Sequence, residues 1–389
     1  MRVGVCDYPS RYAFPPHRYG GIERWLWAVG VGARRAGADV HLLGPAWRRD
    51  LPPEYGRLPV RLEDLRPGEA GFDMLERLDL DLLVVGHEYP SLPAWRETWA
   101  ALGCTVVTFQ HCPDFRHLPD AFDGELSRLF CYSPEMVDRY AACHPTQAVS
   151  VQFGLGEEDP PAATRGKELL WLGRIHGQKA PHLAAMAARL LGRRLRIVGP
   201  LLDRDYAAEH ETELTAPHVE WVGELAGAAK LDALRTASTL VYTCAHDYTE
   251  AGAAVFGEAL RSGTAVAALT WRSGTCAQTA LCHETGVIAQ ANPDNDDESA
   301  AGRLVEAITA AERLGVRQVQ EIGLARFRPG QPLQDAGRAC DRAGRCRASP
   351  SDACRRRVRL SPRCKRCSPI TAFTGLPCCR SDGAGTPTC

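Results

Sequence analysis

The sequence predicts an α/β chain built as two facing Rossmann-like domains with a cleft between them. Three observations carry that prediction. Short apolar runs of strand length alternate with stretches whose apolar residues recur at helical spacing, the pattern of parallel sheets flanked by helices. The alternation stops at a polar, proline-bearing break, Glu157-Glu158-Asp159-Pro160-Pro161, and then starts again. The chain has 389 residues, which suits two or three domains at roughly 100–200 residues each. A single α/β domain with long insertions is the alternative the same pattern allows.

Val3-Gly4-Val5-Cys6 opens as a short buried strand, and a loop through Pro15, Pro16, Gly20 and Gly21 follows. Ile22, Trp25, Leu26, Val29 and Ala33 then repeat at helical spacing until Gly37 stops the helix. Within that helix Gly30-Val31-Gly32 serves packing, because it does not stand between strand and helix as a dinucleotide fingerprint must. Further strands are expected at residues 40–43, 82–85, 105–109 and 129–132, with helical stretches between them. After the break, strands are expected at residues 169–172, 195–198, 219–222, 239–242, 265–269 and 287–289. The resulting division is a domain over 1–156, a linker over 157–166, a second domain over 167–328 and a tail over 329–389.

Charge sets the tail apart. The whole chain carries a formal −1, but residues 331–389 hold 11 Arg, one Lys, 4 Asp and no Glu, and 8 of the 16 cysteines. That leaves the first 330 residues at −9, which argues against a general nucleic-acid surface. The eight body cysteines are dispersed without a CxxC pair and read as buried thiols of a reducing compartment. In the tail only Cys364 and Cys367 have knuckle spacing, and no second pair completes a zinc module. The tail is expected to be disordered or frameshifted sequence, with no sustained apolar period. No apolar run reaches the ~18–20 residues of a membrane span, and Asp7 interrupts any signal-peptide core. The chain is therefore expected in the cytoplasm, with peripheral membrane contact left open.

Two segments carry candidate chemistry. In Leu170-Trp171-Leu172-Gly173-Arg174-Ile175-His176-Gly177-Gln178-Lys179-Ala180-Pro181-His182, a strand gives way to a loop with two cations and then to a helix start. Cations beside a helix N-terminus make an anion site, since free N–H groups and the helix dipole both favour negative charge. The first 330 residues contain only Lys167, Lys179 and Lys230, so a lysine kept in this loop favours a point-charge contact to phosphate. A solvated basic loop is the plain alternative. In Thr249-Glu250-Ala251-Gly252-Ala253-Ala254-Val255-Phe256-Gly257-Glu258, two glutamates flank very small residues that let a ligand approach the backbone. Carboxylates there can accept from sugar and ribose hydroxyls; one cap residue and one exposed helix glutamate is the plain alternative.

Gly173-Arg174 with Lys179, then the Glu250/Glu258 pair and Ser262-Gly263-Thr264-Ala265-Val266, resembles the retaining nucleotide-sugar glycosyltransferases of family 4, which have the GT-B fold. Gly20-Gly21-Ile22-Glu23 resembles that family's N-terminal glycine loop, and Trp221-Val222-Gly223-Glu224 the strand and turn before its nucleotide-base pocket. The resemblance covers roughly residues 1–328 and implies a metal-independent transferase with a nucleoside diphosphate sugar as co-substrate and no cofactor. The first domain would take a small-molecule or saccharide acceptor. Arg174 and Lys179 would hold the diphosphate, and Glu258 the ribose. Glu250 and the backbone of Ala251, Gly252, Ala253 and Ala254 would meet the sugar. Gly20 and Gly21 would close onto the diphosphate, while Val222 and Gly223 would edge the base pocket. The family's histidine of the first domain corresponds to His111 or, alternatively, Gln110 stands in its place. His87, at a strand end, is expected on the acceptor side or as an ordinary loop histidine.

The sequence departs from the family pattern where Ala251-Gly252-Ala253 replaces the usual phenylalanine-glycine, and where Ala180 replaces a glycine after Lys179. It is also expected to lack the helix that crosses back to the first domain. Two rivals follow: a GT-B-type sugar-nucleotide epimerase or hydrolase, and a non-catalytic glycosyltransferase-like partner subunit. A metal cluster of His111, Cys112 and His117 is unsupported by ligand spacing.

Overall fold

A computed structural model of the chain describes residues 1–8, 10–87, 93–123, 127–143, 148–156, 160–162 and 164–347. Residues 157–159 and 163 of the expected linker, Glu88-Tyr89-Pro90 beyond His87, and the tail from 348, with Cys364 and Cys367, lie outside the described residues. The strands form two sheets, each wholly parallel. The first contains β1 (Arg2–Cys6), β2 (Asp39–Leu43), β3 (Gly56–Leu58), β4 (Leu82–Val85), β5 (Thr105–Phe109), β6 (Ser127–Cys131) and β7 (Ala148–Ser150), in the order β3-β2-β1-β4-β5-β6-β7. The second contains β8 (Leu169–Leu172), β9 (Leu195–Val198), β10 (Val219–Trp221), β11 (Thr239–Tyr242), β12 (Val266–Thr270) and β13 (Gly286–Gln290), in the order β10-β9-β8-β11-β12-β13.

Central strands such as Leu-Leu-Val-Val of β4 are buried along their length, as strands covered on both faces must be. Each sheet has a switch point where the chain leaves neighbouring strands in opposite directions: β1/β4 in the first, β8/β11 in the second. Loops leaving the carboxyl ends of such strands are where ligands bind in open α/β sheets. The loop with Arg174 leaves β8, and the loop with Glu250 leaves β11. Both candidate segments therefore meet at one switch point.

The expectation of an irregular tail without a crossing helix is corrected over Gln331–Arg347, which is a helix. Leu333 and Ala336 are fully buried in the core beneath the first sheet, with Cys340 packed against it. Their spacing of three and four residues is a helical stripe, too thin and too short to register among the arginines. Asp335 Oδ2 accepts from the backbone N–H of Gln152 at 3.0 Å. The turn before the helix lies on the first helix, Gly21–Arg35, and a Cβ at Gly32 would stand 2.2 Å from the Gly330 nitrogen. Close packing thus accounts for Gly32, and the chain does cross back. Among the described residues no helix is long and apolar enough to cross a membrane.

Candidate functional site

A cleft of about 350 Å³ opens between the carboxyl ends of the two sheets. The first half of the chain contributes Tyr8, Tyr12, Tyr19, Gly20, Gly21 and His111; the second contributes Arg174, Lys179, Lys230, Glu250, Gly252, Ala253, Ala254 and Glu258. Residues separated by more than 200 positions thus share one space.

The cations after β8 are held from behind. Trp171 Nε1 donates to Thr243 Oγ1 at 2.9 Å, and that hydroxyl donates to the Lys179 carbonyl at 2.7 Å. Lys179 Nζ donates to Glu250 Oε2 and lies 5.3 Å from the centre of the Tyr248 ring. Burial first, and then the Arg174 guanidinium, pulls the Lys179 ammonium down to about 8. Arg174 donates to Gln178 Oε1, while its Nε is buried and finds no partner among the described residues. An unpaired buried donor on a cation is costly, because its hydration is lost without replacement. An anion in the cleft would supply that partner.

Glu258 sits between cations from both halves. Its Oε1 accepts from Lys230 Nζ at 2.5 Å and from Arg24 at 3.4 Å. Burial pushes this carboxyl up, but Lys230 and Arg24 outweigh it, so it stays ionised below its ordinary range. Burial lowers the Lys230 ammonium, against the pull of Glu258. Among the described residues Oε2 of Glu258 receives no hydrogen bond, leaving an acceptor for a ligand hydroxyl.

The glycine turn of Gly20 and Gly21 lines the cleft. Gly20 precedes the first helix at φ 142°, a region closed to L side chains, and a Cβ there would stand 2.9 Å from Glu23 Oε2. Nothing stands within 4 Å of where a Gly21 Cβ would project. The N-terminal end of this fifteen-residue helix is therefore bare where it meets the cleft, as anion contact requires. Gly252 is needed for another reason: a Cβ there would meet the Tyr132 ring at 2.8 Å, so only glycine lets the loop after β11 lie on the first half.

Five expected contacts are placed otherwise. Ala251 is buried with Phe122, Met136 and Tyr140 and does not line the cleft, because its side chain points into the first half's core. Val222 packs on the second core, and Gly223 supports the cleft through its carbonyl, which accepts from Gly199 at 2.8 Å; the wall itself is Glu224 and Leu225. Gln110 is buried, donating to the Cys112 carbonyl and to Tyr140 while accepting from His117 at 2.8 Å, so the cleft histidine is His111. His87 is not among the cleft-lining residues; it stacks on Tyr8, which is, with ring centres 5.3 Å apart.

His111 bonds Tyr132 through Nε2 at 3.3 Å and packs edge-on against Trp25. Burial first, then His87, lowers its imidazole to about 3, so it is neutral near neutral pH. Among the described residues, no three His, Cys, Asp or Glu side chains gather as metal ligands.

Sequence reasoning missed Arg24 and Lys230 as cleft residues. Lys230 carried a usable signal: of the three lysines before residue 331, two line the cleft. Arg24 carried none, because its contact depends on how the two halves face each other.

No model of a known protein family matches this sequence, and no curated protein matches it in sequence. Solved structures do match it in fold. AviGT4, a glycosyltransferase involved in avilamycin A biosynthesis, aligns with a TM-score of 0.64 over 89% of this chain and 97% of its own, at 20% identity. A glycosyltransferase from Rickettsia africae ESF-5 gives 0.62 over 90% and 98%, at 11% identity. WaaG, a glycosyltransferase involved in lipopolysaccharide biosynthesis, gives 0.58 over 87% and 99%, at 17% identity. At these identities the likeness is one of architecture, and the architecture is GT-B.

Proposed function

We propose that this chain is a cytoplasmic glycosyltransferase that moves a sugar from a nucleoside diphosphate to an acceptor hydroxyl, with retention at the anomeric carbon and without a metal. The observation that carries the reading is the convergence of Arg174, Lys179, Glu250 and Glu258 with the glycine turn on one cleft. Arg174 and Lys179 suit a diphosphate. At ~4 Å and an effective dielectric near ~20, each charge pair is worth up to ~4 kcal/mol before desolvation. Charge grows on that diphosphate as the glycosidic bond breaks, so the same two cations stabilise departure more than binding. Glu258 Oε2 suits the ribose. Glu250 and the wall of Gly252, Ala253 and Ala254 suit the sugar.

The acceptor hydroxyl would enter from the side of Tyr8, Tyr12 and His111 and attack on the face the diphosphate leaves. Its proton passes to the departing phosphate oxygen, so no protein nucleophile is required. Neutral His111 offers a hydrogen bond to a hydroxyl rather than a proton. The idea of a non-catalytic partner subunit drew on an absent crossing helix and on the altered loop after Glu250, and Gln331–Arg347 removes the first of these.

The test is incubation with nucleotide sugars and candidate hydroxyl acceptors, followed by NMR of the product's anomeric centre. A product with the donor's configuration supports the reading. An inverted product rejects retention, and rapid donor consumption without acceptor favours the epimerase or hydrolase.

A further inference from the structure

Glu135 lies on the first half of the chain, in the first turn of the helix Pro134–Arg139, yet its bonds are to the second half. Its Oε1 accepts from Arg272 Nε at 2.6 Å and from the Thr249 hydroxyl at 2.7 Å, and its backbone N–H donates to the Gly274 carbonyl at 2.9 Å. Arg272 in turn donates to the His246 carbonyl at 2.7 Å, the Tyr248 carbonyl at 2.8 Å and Thr249 Oγ1 at 2.9 Å. One carboxylate and one guanidinium therefore hold the backbone of residues 246–249, immediately before Glu250. That loop carries both side chains that touch the Lys179 ammonium, Glu250 and the Tyr248 ring. Nothing in the function proposed above uses Glu135, Thr249 or Arg272.

We propose that Glu135 is a positioning residue: acting through Thr249 and Arg272, it fixes the loop that sets Glu250 against Lys179 and so aligns the sugar end of the donor site. The assignment of the sugar end rests on the glycosyltransferase reading; the latch itself does not. Thr249 is buried and Glu135 nearly so, which favours the carboxylate-to-hydroxyl bond because water competes poorly for it. Placing the anchor on the opposite half makes loop geometry depend on the two halves being closed. A donor site whose sugar end forms only on closure would restrain the sugar only in the closed state.

The experiment compares Glu135→Gln, Thr249→Val and the hydroxyl-retaining Thr249→Ser by amide hydrogen exchange and by binding. The binding probes are UDP, GDP, ADP and TDP alongside UDP-glucose, GDP-mannose, ADP-glucose and TDP-glucose. Losing one charge-assisted bond should speed exchange of amides 246–250 by about fivefold in Glu135→Gln and Thr249→Val, with β8–β13 unchanged and Thr249→Ser like wild type. Affinity for the accepted nucleotide sugar should fall by about the same factor relative to its free nucleoside diphosphate. A merely structural role would raise exchange throughout and leave that ratio alone. Unchanged exchange at 246–250 in both variants overturns the latch. Failure of every nucleotide to bind the wild type would instead reject the donor site, while the exchange arm still decides the latch.

Discussion

Arg24 and Glu258 meet at 3.4 Å across the cleft, although 234 residues separate them. The contact joins the glycine turn of the first half to the second glutamate of the Glu250/Glu258 pair, and Lys230 completes the cluster. Glu258→Ala would leave a buried ammonium without its acceptor. Expected outcomes are a stability loss of about 1–3 kcal/mol by urea denaturation and at least about tenfold weaker nucleotide binding by calorimetry. Binding at wild-type strength would overturn the proposal that Glu258 contacts the ribose.

Diphosphate binding should depend on Lys179 keeping its proton. Burial and Arg174 bring that ammonium to about 8, so affinity should fall as pH rises through that value. Lys179→Arg, which stays charged throughout, should show no such fall between about pH 7 and about pH 9.5. Titration calorimetry of the bound nucleoside diphosphate across that range checks both. A flat wild-type profile would place the phosphate away from Lys179.

The crossing helix should be part of the fold. Leu333→Ala empties a fully buried site and should cost about 2–5 kcal/mol. Gly32→Ala would drive a methyl into Gly330 and should cost about 1–3 kcal/mol through overpacking. Urea denaturation of both variants is the check, and wild-type midpoints would show that the helix is dispensable.

Much of this architecture was legible in the sequence, and the failures have physical causes. Leu82–Val85 and Leu169–Leu172 are continuous apolar runs, Leu195–Val198 is apolar but for Arg196, and each was found at its true bounds. Gly56–Leu58 and Ala148–Ser150 were missed because three-residue edge strands are half covered and carry no apolar pattern. The crossing helix was missed because its buried stripe is only Leu333, Ala336 and Cys340 in an arginine-rich setting. At the site, Arg174, Lys179, Glu250 and Glu258 could be picked out because each stands in a short local motif. Arg24, Lys230 and the Glu135–Arg272 pair are defined by contacts between distant segments, which no local spacing encodes.

Acid should destabilise the fold through its buried histidines. Burial first, and then the stacked His210, lowers His182 to about 4. The unfolded chain binds that proton below about 6.5, the folded chain only near 4, so stability falls as pH drops through this window. His111 acts with the same sign down to about 3. His182→Gln should flatten the slope of unfolding free energy between those values; an unchanged slope would show that His182 does not titrate on unfolding.

Binding of a nucleoside diphosphate in the cleft through Arg174 underlies the proposed function, and thermal stability in the presence of UDP, GDP, ADP or TDP tests it most directly. At 100 times its dissociation constant a ligand adds ~2.7 kcal/mol of stability. Diphosphate binding through Arg174 requires that one of the four stabilise the wild type and that Arg174→Ala, itself folded, lose the effect. No stabilisation by any of them, or equal stabilisation of Arg174→Ala, would contradict it.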